Sequence, residues 1–455
     1  MIKLNYLNTA LFTFSCLGVI TSHAGALQPM TDQQLSNITG QALMSLSYIA
    51  PNDAANLETK RVSNSNIGFY KLGMEADLSL NANIKKLQLG CGGVNGANAC
   101  DIDIDNLSLS GLGNSASSNT GNAADRNARV GSSAVLTNPF IQFAIKNPDS
   151  ASTRQIVGIN LSSEKATGLL TFGTENLKDA SNNGIPNGIN SLSGYMKIAA
   201  QTGKATINPI TVTQNGATNP TGVPLKGIAC DSYFGYCGAI KTTYTTTSYN
   251  LTMTPSGQAI LALPEQEITG KRISSAILNA STIVNGIAIN GNLSADSGLG
   301  IPLSGTTSGT LNNLKVNATI NESLGLFHKA GLNGTPVSLS LQSQDIQWTG
   351  GVSVARTGWW LEMSNPIDIG DITPNKNVDI AMPTIIAALN GPVNDYLGAN
   401  YVKCGAFALS CLAGNISLGP LNLPNSAPAA PMDMNNLSLK NQDFTPNCYG
   451  SLKFC

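Results

Sequence analysis

Charge is the scarcest commodity in this chain of 455 residues: 25 Lys and Arg against 26 Asp and Glu, only 11% of the sequence, for a net charge of -1. No basic surface is available to neutralise a run of phosphates, which excludes ordinary nucleic-acid binding. Aromatics amount to 5% and histidines to two, His23 and His328. Hydrolytic triads and zinc centres therefore have almost no imidazole to draw on. Long apolar runs are missing as well. Ala10 to Ile20 is too short to span a bilayer, and no later stretch approaches the roughly 20 apolar residues that a spanning helix needs.

That first run has another meaning. Lys3 precedes it and Ser22-His23-Ala24-Gly25-Ala26 follows with small residues, the pattern of a secretory leader over residues 1–26, cleaved after Ala26 or after Ala24. The mature chain is then expected to be exported, without a transmembrane segment. Its 46 glycines and many Asn, Ser and Thr supply turns between short strands, as in extracellular β-proteins.

Of nine cysteines, Cys16 leaves with the leader, and the other eight fall into close couples. Nearest-neighbour pairing gives Cys91–Cys100, Cys230–Cys237, Cys404–Cys411 and Cys448–Cys455. Each bridge closes a short loop and restricts the unfolded chain by about 2 to 3 kcal/mol. Zinc would want C-x2-C spacing with a second thiol or imidazole pair, and the mature chain keeps one imidazole.

After the leader, Thr31 is placed as an N-cap, Gln34 stands three residues on, and Gly40 ends the run, so residues 27–50 read as a short capped helix followed by a strand, Leu43 to Ile49. Apolar residues at alternate positions mark further strands at Leu78–Ile84, Leu87–Leu89, Ile141–Ile145, Ile156–Leu161, Ile207–Val212, Val337–Leu341 and Val352–Val354. Gly113 to Ser133 is rich in Ser, Asn, Gly and Ala and is expected to be a long mobile loop. Pro383 to Leu397 carries a helical apolar face interrupted at Gly391-Pro392. The fold class is mainly β, an antiparallel sandwich-like or elongated structure with a short N-terminal helix and minor helix near 383–397; the regions expected are 51–240 and 241–455. Asp101 to Leu109 is echoed by Pro431 to Leu439 and more faintly at Asn312-Asn313-Leu314, which suggests a strand bulged at an Asn-Leu step and used more than once.

Few residues carry chemistry. His328 is flanked by Phe327 and Lys329, neither a partner for a general base. Ser162-Ser163-Glu164-Lys165 has S-x-x-K spacing, but reads as a turn. Glu362 beside Trp359-Trp360 could serve a sugar site; the simpler reading packs Trp348, Trp359, Trp360 and Met363 into one sheet's core. Asp101, Asp103 and Asp105 are the one metal candidate, for calcium, set against a strand face whose carboxylates need a basic partner. The sixth position lacks Gly and the twelfth is Leu112, so a helix-loop calcium site is ruled out. No catalytic residue and no cofactor is expected.

The stretch Met30 to Ala42, the run from Cys91 to Gly111, and the ending Asp443 to Cys455 together resemble the FilA family of pilus-assembly or fimbrial proteins of Gram-negative bacteria. The resemblance implies an exported protein that passes the periplasm to reach the cell surface, fimbria or outer membrane. Its partners would be other pilus or envelope assembly proteins or a surface ligand. Ordinary chaperone-usher subunits are much shorter, and if strands are exchanged between subunits, Leu43 to Ile49 is the candidate strand. The alternative is a secreted or outer-membrane-associated protein binding glycan or lipid, and last an envelope hydrolase.

Overall fold

Alternation of apolar and polar residues, rather than long apolar runs, dominates the sequence, and a chain patterned in that way buries one side of each strand. The computed structural model describes residues 44–435, apart from 98, 113–130, 175–176, 182–183, 209–210, 216–223, 234–235, 254–257, 297–301, 371, 375, 380–390 and 405–413. The expected leader, the capped helix at 31–40, most of the loop at 113–133, the first half of the helix at 383–397, and Cys411, Cys448 and Cys455 lie outside the described residues.

The described chain begins with β1 (Met44–Ile49), then helix α1 (Leu57–Arg61), β2 (Ile67–Met74), β3 (Asp77–Leu80), β4 (Ala82–Leu89) and β5 (Ile102–Ser110). Asn56 caps α1: its side chain accepts from Thr59 N at 3.1 Å and donates to Ile67 O at 2.8 Å. Long strands follow, β6 (Ala134–Lys146) and β7 (Gln155–Thr171), then the short pair β8 (Leu177–Lys178) and β9 (Gly184–Ile185), and β10 (Ile189–Ile198).

Next come β11 (Gln201–Thr206), β12 (Thr211–Asn215), β13 (Lys226–Tyr233), β14 (Tyr236–Met253), β15 (Gln258–Leu263), β16 (Gln266–Ile273), β17 (Ser275–Val284), β18 (Ile287–Asp296), β19 (Pro302–Asn312) and β20 (Leu314–Ser323). The chain continues through β21 (Lys329–Asn333), β22 (Val337–Gln342), the short pair β23 (Ile346–Gln347) and β24 (Val354–Ala355), and β25 (Gly358–Ile367). It ends with α2 (Pro392–Ala399), β26 (Val402–Cys404), β27 (Asn415–Asn422) and β28 (Ala430–Asn435). The protein is mainly β and sandwich-like, and none of its described helices is long and apolar enough to cross a membrane.

Two assemblies share these strands. In a 12-stranded sheet the path runs β1-β2-β6-β7-β22-β25-β10-β5-β4, and β5 also pairs with β7. The ladder therefore returns to β7 through Leu341↔Trp359, Gly194↔Leu361, Leu192↔Ile102 and Leu109↔Leu170, closing five strands on themselves. Strands β6, β2 and β1 extend from this closed part as a wing.

The second assembly is one sheet folded over. Its halves run β11-β15-β17-β20-β28 and, strand for strand in the same order, β12-β14-β18-β19-β27, the second half being extended beyond β14 by β13 and β26. From Ser275 to Ser323 the chain is a single long hairpin: Val284↔Leu314 on one side of the fold and Ile287↔Leu311 on the other keep an unbroken register. The crease sits where Gly286 (φ 77) and Asn313 (φ 62) take left-handed backbone. Gly286 N donates to Asn312 Oδ1 at 3.0 Å and Asn313 N to Asn285 Oδ1 at 2.8 Å, so the corner pays no hydrogen-bond penalty. Ala276, Leu278 and Val284 of one half and Ile287, Ile289 and Leu293 of the other are buried in the same core, while Ile277 and Ile283 point outward.

Two expectations are corrected here. Residues 240 and 241, expected to separate two regions, lie within β14, whose hairpins tie both sides together. Ser162 to Lys165, expected as a turn, is the middle of β7.

Candidate contact face

The residues singled out for chemistry are structurally committed. Asp101 is buried and accepts from Trp359 N at 3.0 Å and Asn95 Nδ2 at 3.1 Å. Its carboxylate sits against Gly90 (φ 67) and Gly358 (φ 103), where a Cβ would collide with it. Asp103 and Asp105 face Lys86 Nζ at 2.6 and 3.0 Å, and Asn190 Nδ2 donates to both. The three carboxylates are thus divided between two sets of partners, and the basic partner that the strand reading requires is Lys86. Burial opposes ionisation of Asp103, but hydrogen bonds from Lys86, Gln88 and Asn190 outweigh it and hold the carboxyl below its usual range. Among the described residues no three His, Cys, Asp or Glu side chains are grouped to hold a metal ion.

His328 is buried against Phe172 O, 3.0 Å from Nδ1, and burial pushes its pKa down. Glu362 receives Val352 N and Ser353 N, each at 3.0 Å, and the Ser353 hydroxyl at 2.5 Å, which fixes the turn before β24. Trp360 is buried beside Trp348, whereas Trp359, its neighbour along the strand, lies half-buried on the other side of β25. They form no common platform. Cys91–Cys100 and Cys230–Cys237 are bridged as their spacing suggests, and Cys404 is also disulfide-bonded.

What the strands do bring together is an apolar face on the outer side of the wing. Across β1, β2, β6, β7, β22 and β25, directly paired residues form the row Leu46, Leu72, Ile141, Leu161, Leu339, Leu361. Beside it runs the row Tyr48, Tyr70, Phe143, Ile159, Leu341, Trp359. Directly opposed side chains stand on one face. Leu46 is 73% exposed, and Tyr48, Ile141, Ile159, Leu161 and Leu341 are all open to solvent; only at the β22 and β25 end do the rows reach the main core. The opposite face of these strands is the buried one, and it is mixed: Gln142, Asn160, Ser340 and Gln342 stand beside the apolar Phe69, Ala144 and Trp360. A contiguous apolar face left in water is the arrangement that marks a contact surface.

The face ends at an open edge. β1 is last in its sheet, its far side faces no described strand, and its sequence Met-Ser-Leu-Ser-Tyr-Ile holds no charge and no proline. Most other terminal strands are guarded: β4 carries Lys85 and Lys86, β11 Lys204, β27 Pro420, and β28 Pro431 and Asp433, while the short β12, Thr-Val-Thr-Gln-Asn, is uncharged but has only Val212 as an apolar residue. Tyr48 stacks on Tyr70 with ring centroids 4.3 Å apart and lies over Gly68, which stiffens β1 against the wing. Alternation in the sequence locates these strands but does not say which side is covered, so the face is invisible until the register is known. No family model, no curated protein and no solved structure matches the chain.

Proposed function

We propose that the protein is an exported, pilus- or fimbria-associated surface protein that acts by protein–protein contact and performs no catalysis. The observation that carries this reading is the uncovered apolar face running out to the unguarded edge of β1. A partner that satisfies both features supplies backbone donors and acceptors to β1 and apolar side chains at alternate positions to continue the two rows; an extended segment of another envelope subunit has that chemistry. A lipid tail satisfies only the face. The disulfides are in keeping with an oxidising compartment, and the resemblance to FilA proteins supplies the appendage. Leu43 to Ile49, the candidate exchanged strand, overlaps β1, which pairs with β2 of its own chain along one side. In this reading β1 accepts a strand and is not donated.

The test is deletion of the gene in its host, with the cell surface viewed by electron microscopy and the wild-type protein located by immunogold. Gold along fibres that vanish on deletion supports the proposal. Intact fibres with diffuse envelope labelling overturn it.

A further inference from the structure

On the buried side of the same wing a cleft of about 390 Å³ opens between β6, β7 and β22 and the turn at 349–351, a size within the range of small-ligand sites. Among the residues that line it, Gln142, Asn160, Ser162, Ser338 and Thr349 are neutral and polar, with Lys71, Glu164 and Glu362 as its charged members. Gln142 and Asn160 are only 2% and 3% exposed. Yet Gln142 Oε1, Asn160 Oδ1 and Thr349 Oγ1 have no hydrogen-bond partner in the protein. Buried polar atoms are normally paired, and three unpaired oxygens around one cleft call for a cause.

The charges at the mouth cancel. Lys71 Nζ donates to Glu164 Oε1 at 3.0 Å and lies 4.3 Å from the Phe140 ring centroid, while Asn138 Nδ2 holds the other oxygen of Glu164 at 2.9 Å. Glu362 is spent on the turn at 352–353. A phosphate would meet two carboxylates and one neutralised cation; an acyl chain would lie on the unpaired oxygens. Carboxamides and hydroxyls, which both donate and accept, match a ligand made of hydroxyl groups, and Phe140 and Pro336 give the cleft an apolar side.

We propose that this cleft binds a neutral, polyhydroxylated ligand, a mono- or disaccharide unit of a glycan, through Gln142, Asn160 and Thr349. The site is separate from the apolar face and does not depend on the contact reading. The experiment titrates the mature protein with maltose, lactose, cellobiose and N,N′-diacetylchitobiose by saturation-transfer NMR and calorimetry, with an uncharged, capped Asn-containing tripeptide as the comparison. At least one saccharide is expected to bind at millimolar concentration or below. Asn160→Leu, and independently the milder Thr349→Val, should weaken it at least about tenfold while the melting temperature does not fall, since each removes an unpaired oxygen. No saccharide bound, binding undiminished in both variants, or the tripeptide bound in place of the sugars would each overturn the assignment.

Discussion

At the scale of the residue, His328 is the clearest titrating device, the one histidine among the described residues. Burial lowers its pKa in the folded protein, whereas in the unfolded chain it returns to about 6.5. The unfolded state therefore binds the proton first, and stability that is complete above about pH 6.5 is lost as the pH falls from there toward the folded value. Asp103 and Asp345 are held below their ordinary range, so their contribution is lost only in stronger acid and does not confuse the window. Urea unfolding midpoints compared at about pH 7.5 and about pH 5 should drop for the wild type, and His328→Gln should flatten that difference; an equal drop in both would rule out His328 as its source. Lys86→Met is expected to raise the pKa of Asp103 by leaving it beside Asp105 without its cation, read by carboxyl carbon NMR shifts during an acid titration.

At the scale of the element, the sequence announces strands better than it announces neighbours. The Asn-Leu step in Asp105-Asn106-Leu107 and Asn312-Asn313-Leu314, expected as a bulge, is a left-handed corner without a slip: Asn106 has φ 49 and Asn313 φ 62, yet the pairing register is unchanged across both. Asparagine tolerates left-handed backbone where a β-branched residue does not. Asn313→Val should cost about 1 to 2 kcal/mol of unfolding free energy while Asn313→Gly stays near neutral, measured by chemical denaturation. Close cysteine couples were legible for the same reason, because local geometry decides them. Ser162 to Lys165 misleads because serines signal turns in water, and here Ser163 is buried within β7. The contact face was hidden for a different reason. Period two puts Ile141 and Phe143 on one side and Gln142 on the other, and experience assigns the apolar side to the core; only non-local pairing, such as Ile141 with Leu161 and Leu161 with Leu339, reveals that the assignment is reversed. Leu46→Lys tests the face at its most exposed point: folding stability should change by no more than about 0.5 kcal/mol, whereas complementation of a deletion strain should fail to restore surface fibres. Fibres of normal number would mean that β1 is not the contact strand.

For the molecule as a whole, the folded sheet dictates an order of assembly. The hairpin from Ser275 to Ser323 is contiguous in the chain, so its contacts close only short loops and can form early. Its two outer flanks are not finished locally. β27 pairs in parallel with β19, and β28 in parallel with β20, from residues more than a hundred positions later. A nascent chain that has passed Ser323 but not yet delivered Asn415 to Asn435 therefore carries bare strand edges on both halves of the sandwich at once. That interval is a window of vulnerability to aggregation and proteolysis, which closes only when the last strands dock on the unfinished flanks of β19 and β20.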